Sequence, residues 1–208
     1  MFLFEEQLKL DFYKVVKNRR SVRRFKTDSD IKDDVVRKLI ETACLAPSAG
    51  NYQNWHFIIV KDAQKKRRLA EICTKFSRLA WKDFSKNTAK LVAGRGGTWD
   101  KSYMTKLSVL IVVCYETIGK TVQDSNAHAS AWCAIENLLL AATAEGLSAC
   151  VYNLWKREIN PMRKLFKIPK NYKIAAIIQA GYPAETPEQP PKKKLEEVTS
   201  YDAFSKEL

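Results

Sequence analysis

A cluster of arginines near the amino terminus is the strongest chemical feature of the sequence. Arg19, Arg20, Arg23 and Arg24 fall within six positions, and Ser21 lies among them as a hydroxyl donor. Like charges this close together are costly unless an anion or an acidic partner offsets them. A guanidinium group suits phosphate because it can donate two parallel hydrogen bonds. The segment therefore predicts a phosphate-binding site, and a basic surface turn is the alternative.

A loop of small and polar residues is the second candidate for ligand binding. Pro47 ends a predicted helix over about 33–45 that Asp30 could cap, and the residues from Ser48 to Asn51 include a glycine. Such a loop lets backbone N–H groups approach a flat or charged ligand. Residues 55–60 follow as an apolar run, typical of a strand buried on both faces. The alternative is an ordinary connection between a helix and a strand.

The segment from residue 77 to residue 106 has the least regular pattern in the chain. It combines the glycines of residues 94–97 with large aromatic side chains, including Trp81, Trp99 and Tyr103. Glycines beside aromatic residues are typical of a flap that closes over a pocket. We therefore take these three aromatic residues as candidates for substrate contact. The alternative is a surface loop whose tryptophans pack into the core.

The composition indicates one folded domain with a short extension. The chain has 208 residues, of which 46% are hydrophobic, and this is enough for a sizeable core. We assign residues 1–183 to the domain and residues 184–208 to a carboxy-terminal extension that packs onto a second subunit. No apolar run reaches the thickness of a bilayer, and the first residues lack a secretory signal. We therefore expect a cytoplasmic protein with no membrane partner.

The charge and the cysteine pattern exclude several classes of protein. A net charge of +13 raises the alternative of nucleic-acid binding. The basic residues fall in three separate groups, however, and no helix-turn-helix or aromatic–basic strand motif accompanies them. We therefore expect no nucleic-acid partner. Five cysteines without a Cys-x-x-Cys pair and two isolated histidines predict neither a disulfide framework nor a metal site.

The remaining periodicity predicts the elements that position these loops. Asp62 could cap a helix over about 63–78, and Gly146 could end a long, mostly apolar helix over about 126–145. Asn160 and Pro161 predict a further helix near 161–167. Strands are predicted at 109–115, 149–154 and 174–180. The absence of a Gly-x-Gly-x-x-Gly motif argues against a Rossmann dinucleotide-binding domain.

Four segments occur in the order found in the nitroreductase family of FMN-dependent oxidoreductases. They are residues 19–25, residues 46–55, the Glu145-Gly146-Leu147 end of the long helix, and Gly181-Tyr182-Pro183. The chain resembles this family from about residue 12 to residue 200. The resemblance implies an α+β fold, with a mixed central β-sheet flanked by helices. It also implies an intertwined homodimer with FMN bound at the subunit interface.

The resemblance also implies which residues bind the cofactor. The matching positions are Arg19, Arg20, Ser21 and Arg23 for the phosphate, ribityl chain and pyrimidine edge; Pro47, Ser48, Ala49 and Asn51 for one side of the flavin, from the other subunit; Val151, Tyr152, Asn153 and Leu154 for the opposite side; and Lys192 or Lys193 for the phosphate. Arginine is usual in the family where this tail has lysine. Asn54 stands where the family commonly has proline, which makes the loop less rigid.

The function implied by the resemblance is NAD(P)H-driven hydride transfer. NADH or NADPH would reduce FMN, and the flavin would then reduce a small nitro, quinone or related electrophilic acceptor. The flavin carries this chemistry, so no catalytic side chain or metal is required. Enone reduction and reductive dehalogenation are open as well. The alternatives are a flavin-binding protein without nicotinamide turnover, serving storage, sensing or flavin breakdown, and a basic nucleic-acid-binding protein.

Overall fold

Helices and strands alternate along residues 12–27, 29–83, 100–117, 119 and 121–204, which the computed structural model describes. The helices are α1 (Phe12–Asn18), α2 (Asp33–Cys44), α3 (Ala63–Asp83), α4 (Thr121–Ala144) and α5 (Lys156–Leu165). The strands are β1 (Trp55–Val60), β2 (Val109–Glu116), β3 (Ser148–Tyr152) and β4 (Tyr172–Gly181). Short 3₁₀ helices cover Ala49–Asn51, Ser102–Lys106 and Leu195–Glu197. Within these ranges no helix combines the length and the apolar character needed to cross a membrane.

These strands form one sheet in the order β1-β2-β4-β3, and every neighbouring pair is antiparallel. On the central strand β2, Val112 lies opposite Ile58 of β1 and opposite Ile177 of β4. In the described part of the chain, parallel pairing occurs only as an isolated bridge between Ser21 and Ala149 of β3. The α+β class is confirmed. The predicted sheet is mixed, with both parallel and antiparallel pairing, and this bridge is the parallel part among the described residues.

The two strands with the strongest apolar patterns differ in burial. The first seven residues of β2 are all buried, as the sequence predicts for a central strand. In β1 only Val60 is buried, and Ile59 is 45% exposed. The prediction that β1 is buried on both faces is therefore wrong for this chain. β1 lies at the edge of the sheet, and an apolar run does not by itself distinguish an edge strand from a central one.

The core lies on both faces of the sheet because successive β2 side chains point in opposite directions. Ile111 and Val113 face the cluster formed with α2 and α4, whose largest buried members include Leu39 and Leu138. The alternate β2 residues face the cluster formed with α3, α5 and the 3₁₀ helix at residues 102–106. That cluster contains Leu69, Met104, Leu110, Val112, Cys114 and Met162. The sheet is therefore a layer between two groups of helices, and the loops lie at the ends of its strands.

Helix α4 ends as predicted, and α3 starts as predicted. Gly146 has a φ of +70°, and the Leu147 N–H bonds to the Ala142 carbonyl oxygen at 2.8 Å, which closes the end of α4. Asp62 accepts a hydrogen bond from the Lys65 N–H at 2.7 Å, as its assignment as a cap requires. The helix continues to Asp83, five residues beyond its predicted end.

Helix α2 begins at Asp33 as predicted, although the residue at its cap position is Lys32 rather than Asp30. Two other helices begin earlier than predicted, and α4 begins at Thr121, ahead of residue 126. α5 begins at Lys156, so Pro161 lies inside the helix. The physical reason is that Glu158 accepts a hydrogen bond from the Trp155 N–H at 2.7 Å and thereby stabilises an earlier start.

Candidate functional site

The arginine segment is fixed at the open edge of β3. Ser21 forms the parallel bridge to Ala149, and Phe25 forms an antiparallel bridge to Pro183, just after β4. Val22 and Phe25 are buried, and they anchor the segment. A Cβ on Gly181 would lie 3.0 Å from the Phe25 ring, so a larger residue would require this ring to shift. The segment is thus held by backbone pairing on both sides, and its arginine side chains extend from a fixed base.

The four arginines have different partners. Arg19 pairs with Glu136 of α4 at 3.7 Å, and Arg24 pairs with Glu185 at 3.7 Å. The acceptors that the structure shows for the other two are neutral. Arg20 donates to the carbonyl oxygens of Lys17 and Arg19 and to Gln189 Oε1, and Arg23 donates to the Ser21 carbonyl oxygen at 3.1 Å. Arg20 and Arg23 can therefore exchange neutral acceptors for an anion without breaking an ion pair.

The carboxy-terminal tail returns alongside this segment. Glu185 Oε1 accepts the backbone N–H groups of Arg23 at 3.1 Å and Arg24 at 3.2 Å. Gln189 then receives a hydrogen bond from Arg20. Lys192 and Lys193 are exposed and follow Gln189 by three and four residues. Since an extended residue spans at most about 3.6 Å, their backbones lie within about 14 Å of Gln189.

The 151–154 segment lies at the same place as the arginines. The bridge between Ser21 and Ala149 is parallel, so the two chains run in the same direction from it, and Arg23 and Val151 lie towards the same end. Val151 is half-buried, Tyr152 is buried and Asn153 is exposed. The Arg23 charge also reaches the thiol of Cys150, whose pKa is raised by burial and lowered in part by Arg23. The structure thus brings two of the predicted groups of site residues together.

The loop at residues 47–51 has a strained but well-supported backbone. Gly50 has a φ of +59°, and a Cβ there would lie 2.9 Å from the Tyr52 ring. Asn51 also has a positive φ, of 56°. Ser48 Oγ accepts the Gln53 N–H at 3.0 Å. Pro47, Ala49 and Asn51 are exposed, so the loop presents backbone and small side chains outward, as the sequence predicts.

Helix α4 supports both the loop and the arginine segment, but on different sides. The Ala49 N–H donates to Ser130 Oγ at 3.2 Å, and Arg19 pairs with Glu136. Six helical residues correspond to a rise of about 9 Å and to a rotation that leaves the two positions about 120° apart around the axis. The structure of one chain therefore separates the loop from the arginine segment.

A buried carboxyl group beside the site is the functional feature that sequence reasoning missed. Glu158 is 0% exposed, and its oxygens accept hydrogen bonds from the Tyr152 hydroxyl and the Trp155 N–H, both at 2.7 Å. Burial raises the pKa of Glu158 to about 7, although the hydrogen bonds from Tyr152 and Trp155 and the charge of Lys101 lower it. A glutamate three residues after a helix cap is a recognised start signal, and it could have revealed this residue. The Asn160-Pro161 pair gave the more familiar signal and placed the helix too late.

Of the three candidate substrate-contacting residues, the structure describes the side chain of Tyr103 but not those of Trp81 and Trp99. Tyr103 lies in the 3₁₀ helix at residues 102–106 and is half-buried against the second core cluster. Its burial raises the pKa of the phenol to about 12. Trp81 belongs to α3, but its side chain lies outside the described part of the structure. Trp99 and the glycine cluster lie outside the described residues as well, so the flap and its substrate contacts stay predictions.

A surface cleft of about 680 Å³ lies between α3 and the 3₁₀ helix at residues 102–106. Its walls include Arg67, Thr74, Arg78 and Thr105. None of the predicted cofactor-binding residues lines it. The predicted cofactor-binding residues of the arginine segment and of residues 151–154 lie instead at the edge of β3.

Comparison with known proteins gives a consistent result. The sequence model of the nitroreductase family matches residues 16–182. A protein of Archaeoglobus fulgidus, assigned to the NADH dehydrogenase/NAD(P)H nitroreductase class, is 30% identical over 180 residues, which are 83% of this chain and 85% of that protein. The iodotyrosine deiodinase of Thermotoga neapolitana is 26% identical over 192 residues, or 92% and 98% of the two chains.

The same architecture occurs in a solved structure. A crystal structure of oxidised iodotyrosine deiodinase bound to FMN and 3-iodo-L-tyrosine superposes with a TM-score of 0.82 and 24% identity. The superposition covers 93% of this chain and 100% of the other. At this level of identity, the similarity establishes a shared fold.

Proposed function

Because this chain belongs to the nitroreductase family, we propose that it is an FMN-dependent oxidoreductase that uses NADH or NADPH to reduce a small electrophilic acceptor. The observation that carries the proposal is the arginine segment. It is fixed by backbone pairing at the edge of β3, and the acceptors shown for Arg20 and Arg23 are neutral. The FMN bound in the structural neighbour and the name of the Archaeoglobus relative support the proposal.

The donor set at the edge of β3 fits FMN. The phosphate of a phosphomonoester carries roughly −1.5 to −2 charge near neutral pH, which the Arg20 guanidinium and a lysine of the tail can match. Arg20 and Arg23 would hold the phosphate and the pyrimidine edge, and Ser21 adds a hydroxyl donor. Lys192 or Lys193 would add a cation from the tail. When bound, the flavin supplies two-electron hydride chemistry that no side chain of this protein can supply.

The protein would contribute binding, orientation and charge. Arg23 would keep a positive charge at the pyrimidine edge, where reduction of a flavin increases negative charge. The backbone of residues 151–154 would line one side of the ring. Pro47, Ser48, Ala49 and Asn51 would lie against the ring from the other subunit, with the φ of +59° at Gly50 keeping that loop close to the ligand.

A homodimer would complete this site. The loop and the arginine segment lie on different sides of α4 within one chain, so we propose that the loop of one subunit meets the arginines of the other. Four apolar tail residues are left 60–92% exposed by the described part of one chain; they are Leu195, Val198, Tyr201 and Phe204. We propose that residues 184–208 pack onto the partner subunit, because exposure of such side chains is costly.

Reductive dehalogenation is a second candidate for the acceptor reaction. The observation that favours it is the identity of 26% over 192 residues with an iodotyrosine deiodinase. Halogenated phenols therefore belong in the acceptor panel beside nitroaromatics and quinones. A flavin-binding protein without nicotinamide turnover would bind FMN, but neither NADH nor NADPH would reduce that FMN.

Anaerobic reduction of the purified protein tests the proposal. We expect a yellow protein whose flavin absorbance is bleached by NADH or NADPH and restored by acceptors of one of these classes. A flavin that neither nicotinamide reduces would leave flavin binding intact but contradict the oxidoreductase reaction with that donor. A colourless protein that takes up no added FMN would overturn the proposal itself.

A further inference from the structure

The buried side chain of Glu158 connects both ends of a short backbone segment. One carboxylate oxygen accepts the Tyr152 hydroxyl at 2.7 Å, and the other accepts the Trp155 N–H at 2.7 Å. Tyr152 is the last residue of β3, and α5 begins directly after Trp155. The residues between them have left the strand ladder and have not entered the helix. A single side chain therefore supports the turn from β3 into α5.

The same carboxyl group is tied to the rest of the core through Tyr152. Ser77 Oγ of α3 lies 3.1 Å from the Tyr152 hydroxyl, and Lys101 Nζ lies 5.5 Å from the centre of the Tyr152 ring. The Lys101 N–H in turn donates to Thr74 Oγ1 of α3 at 2.9 Å. α3, β3, α5 and the residues before the 3₁₀ helix thus meet at one buried polar group.

We propose that Glu158 is a positioning residue for the cofactor site, because it holds the backbone from Tyr152 to Trp155 in the conformation that contacts the flavin. The inference rests on the proposed function, which places residues 151–154 beside the FMN ring. A carboxyl group suits this role because its two oxygens accept two donors in fixed directions. An apolar side chain of the same size would fill the space but would remove the oxygen that accepts the Trp155 N–H at 2.7 Å.

The protonation state of Glu158 gives the proposal a measurable signature. Among the described residues, the titratable groups that act on this carboxyl are Tyr152 from β3, Cys73 from α3, and Lys101 from the segment before the 3₁₀ helix, and Ser77 of α3 contacts the Tyr152 hydroxyl. Burial dominates and raises the pKa of Glu158 to about 7 from a model-peptide value of 4.5. The closed segment therefore holds a proton that an opened, hydrated segment releases. Opening of the segment therefore becomes more favourable as the pH rises from 4.5 to about 7.

Amide hydrogen exchange at Trp155 tests the proposal without flavin. In the wild-type chain we expect the protection factor, which corrects for the intrinsic pH dependence, to fall as the pH rises through about 7. In Glu158→Gln the amide oxygen can accept the Trp155 N–H, the amide nitrogen can donate to the Tyr152 hydroxyl oxygen, and nothing titrates, so protection should stay high and independent of pH. In Tyr152→Phe the loss of a hydrogen bond that lowers the pKa of Glu158 should extend the fall to higher pH.

FMN affinity of the flavin-depleted protein is the second readout, and the matched substitution is Glu158→Met. We expect Glu158→Gln to bind FMN as the wild type does, whereas Glu158→Met should bind about tenfold more weakly because the Trp155 N–H is left unsatisfied. Glu71→Gln and Glu71→Met, at an exposed carboxylate of α3, are the controls and should leave affinity unchanged.

These experiments test the positioning role of Glu158 separately from the proposed FMN-dependent function. Equal FMN affinity of Glu158→Met and the wild type would overturn the positioning role, and so would equal protection of the Trp155 N–H in these two proteins. If Glu158→Met does not fold, the exchange of the Trp155 N–H in the wild type and in Glu158→Gln supplies the comparison. If the wild type itself does not bind FMN, the proposed function fails, and the exchange of the Trp155 N–H still decides whether Glu158 holds the segment.

Discussion

Replacing the two arginines that have neutral acceptors should release FMN, whereas replacing their neighbour should not. Arg20 and Arg23 donate to carbonyl or amide oxygens, but Arg24 is paired with Glu185 at 3.7 Å. A hydrogen bond to a charged group contributes about 1.5–3 kcal/mol. Each arginine must give up its present neutral acceptors, so we take the lower end of this range. Each single alanine variant should then weaken FMN binding about tenfold, and the double variant about a hundredfold.

The assay is fluorescence titration of the flavin-depleted protein with FMN and, in parallel, with riboflavin, which lacks the phosphate. Arg24→Ala is the matched control because it removes the same charge one position away. The Arg20→Ala/Arg23→Ala variant should lose the preference for FMN over riboflavin, whereas Arg24→Ala should keep it. Thermal unfolding of each variant checks that the fold is retained. Equal weakening by Arg24→Ala would refute the reasoning, since it would reveal a general effect of net charge.

Three further predictions follow from particular residues. Gly50→Ala should destabilise the protein by about 1–2 kcal/mol in urea titrations, because a Cβ at a φ of +59° is strained and meets the Tyr52 ring; unchanged stability would mean that the loop relaxes freely. The wild type should lose up to about 3 kcal/mol of stability relative to Glu158→Gln as the pH rises from 4.5 to about 7, because the folded state holds the Glu158 proton more tightly than the unfolded state; a parallel pH dependence of the two proteins would contradict the raised pKa. Removal of residues 190–208 should convert the proposed dimer to a monomer in light scattering and weaken FMN binding, and a stable truncated dimer would show that the tail is not part of the interface.

Local sequence signals predicted much of the fold because they depend on chemistry within a few residues. Gly146 ends α4, Asp62 caps α3, and Val22 and Phe25 anchor the arginine segment as their types suggest. The predictions went wrong where the deciding contact is distant along the chain. The apolar run of β1 is the same whether the strand lies at an edge or in the centre, and only the strand order resolves this.

The candidate site shows the same division between local and distant contacts. The arginines and the 151–154 segment were predicted separately, and the bridge from Ser21 to Ala149 is what brings them together. The sequence could not indicate which arginines already have carboxylate partners, because Glu136 and Glu185 lie more than a hundred residues away. Glu158 was missed because its hydroxyl donor belongs to a strand and its helix start was assigned five residues too late.

Native mass spectrometry of the purified protein, with FMN added, tests the central claim most directly. We predict a complex of two chains and two FMN molecules. The Arg20→Ala/Arg23→Ala variant should not retain the FMN. A single chain that carries no flavin would contradict it, and so would a double variant that retains flavin at full occupancy.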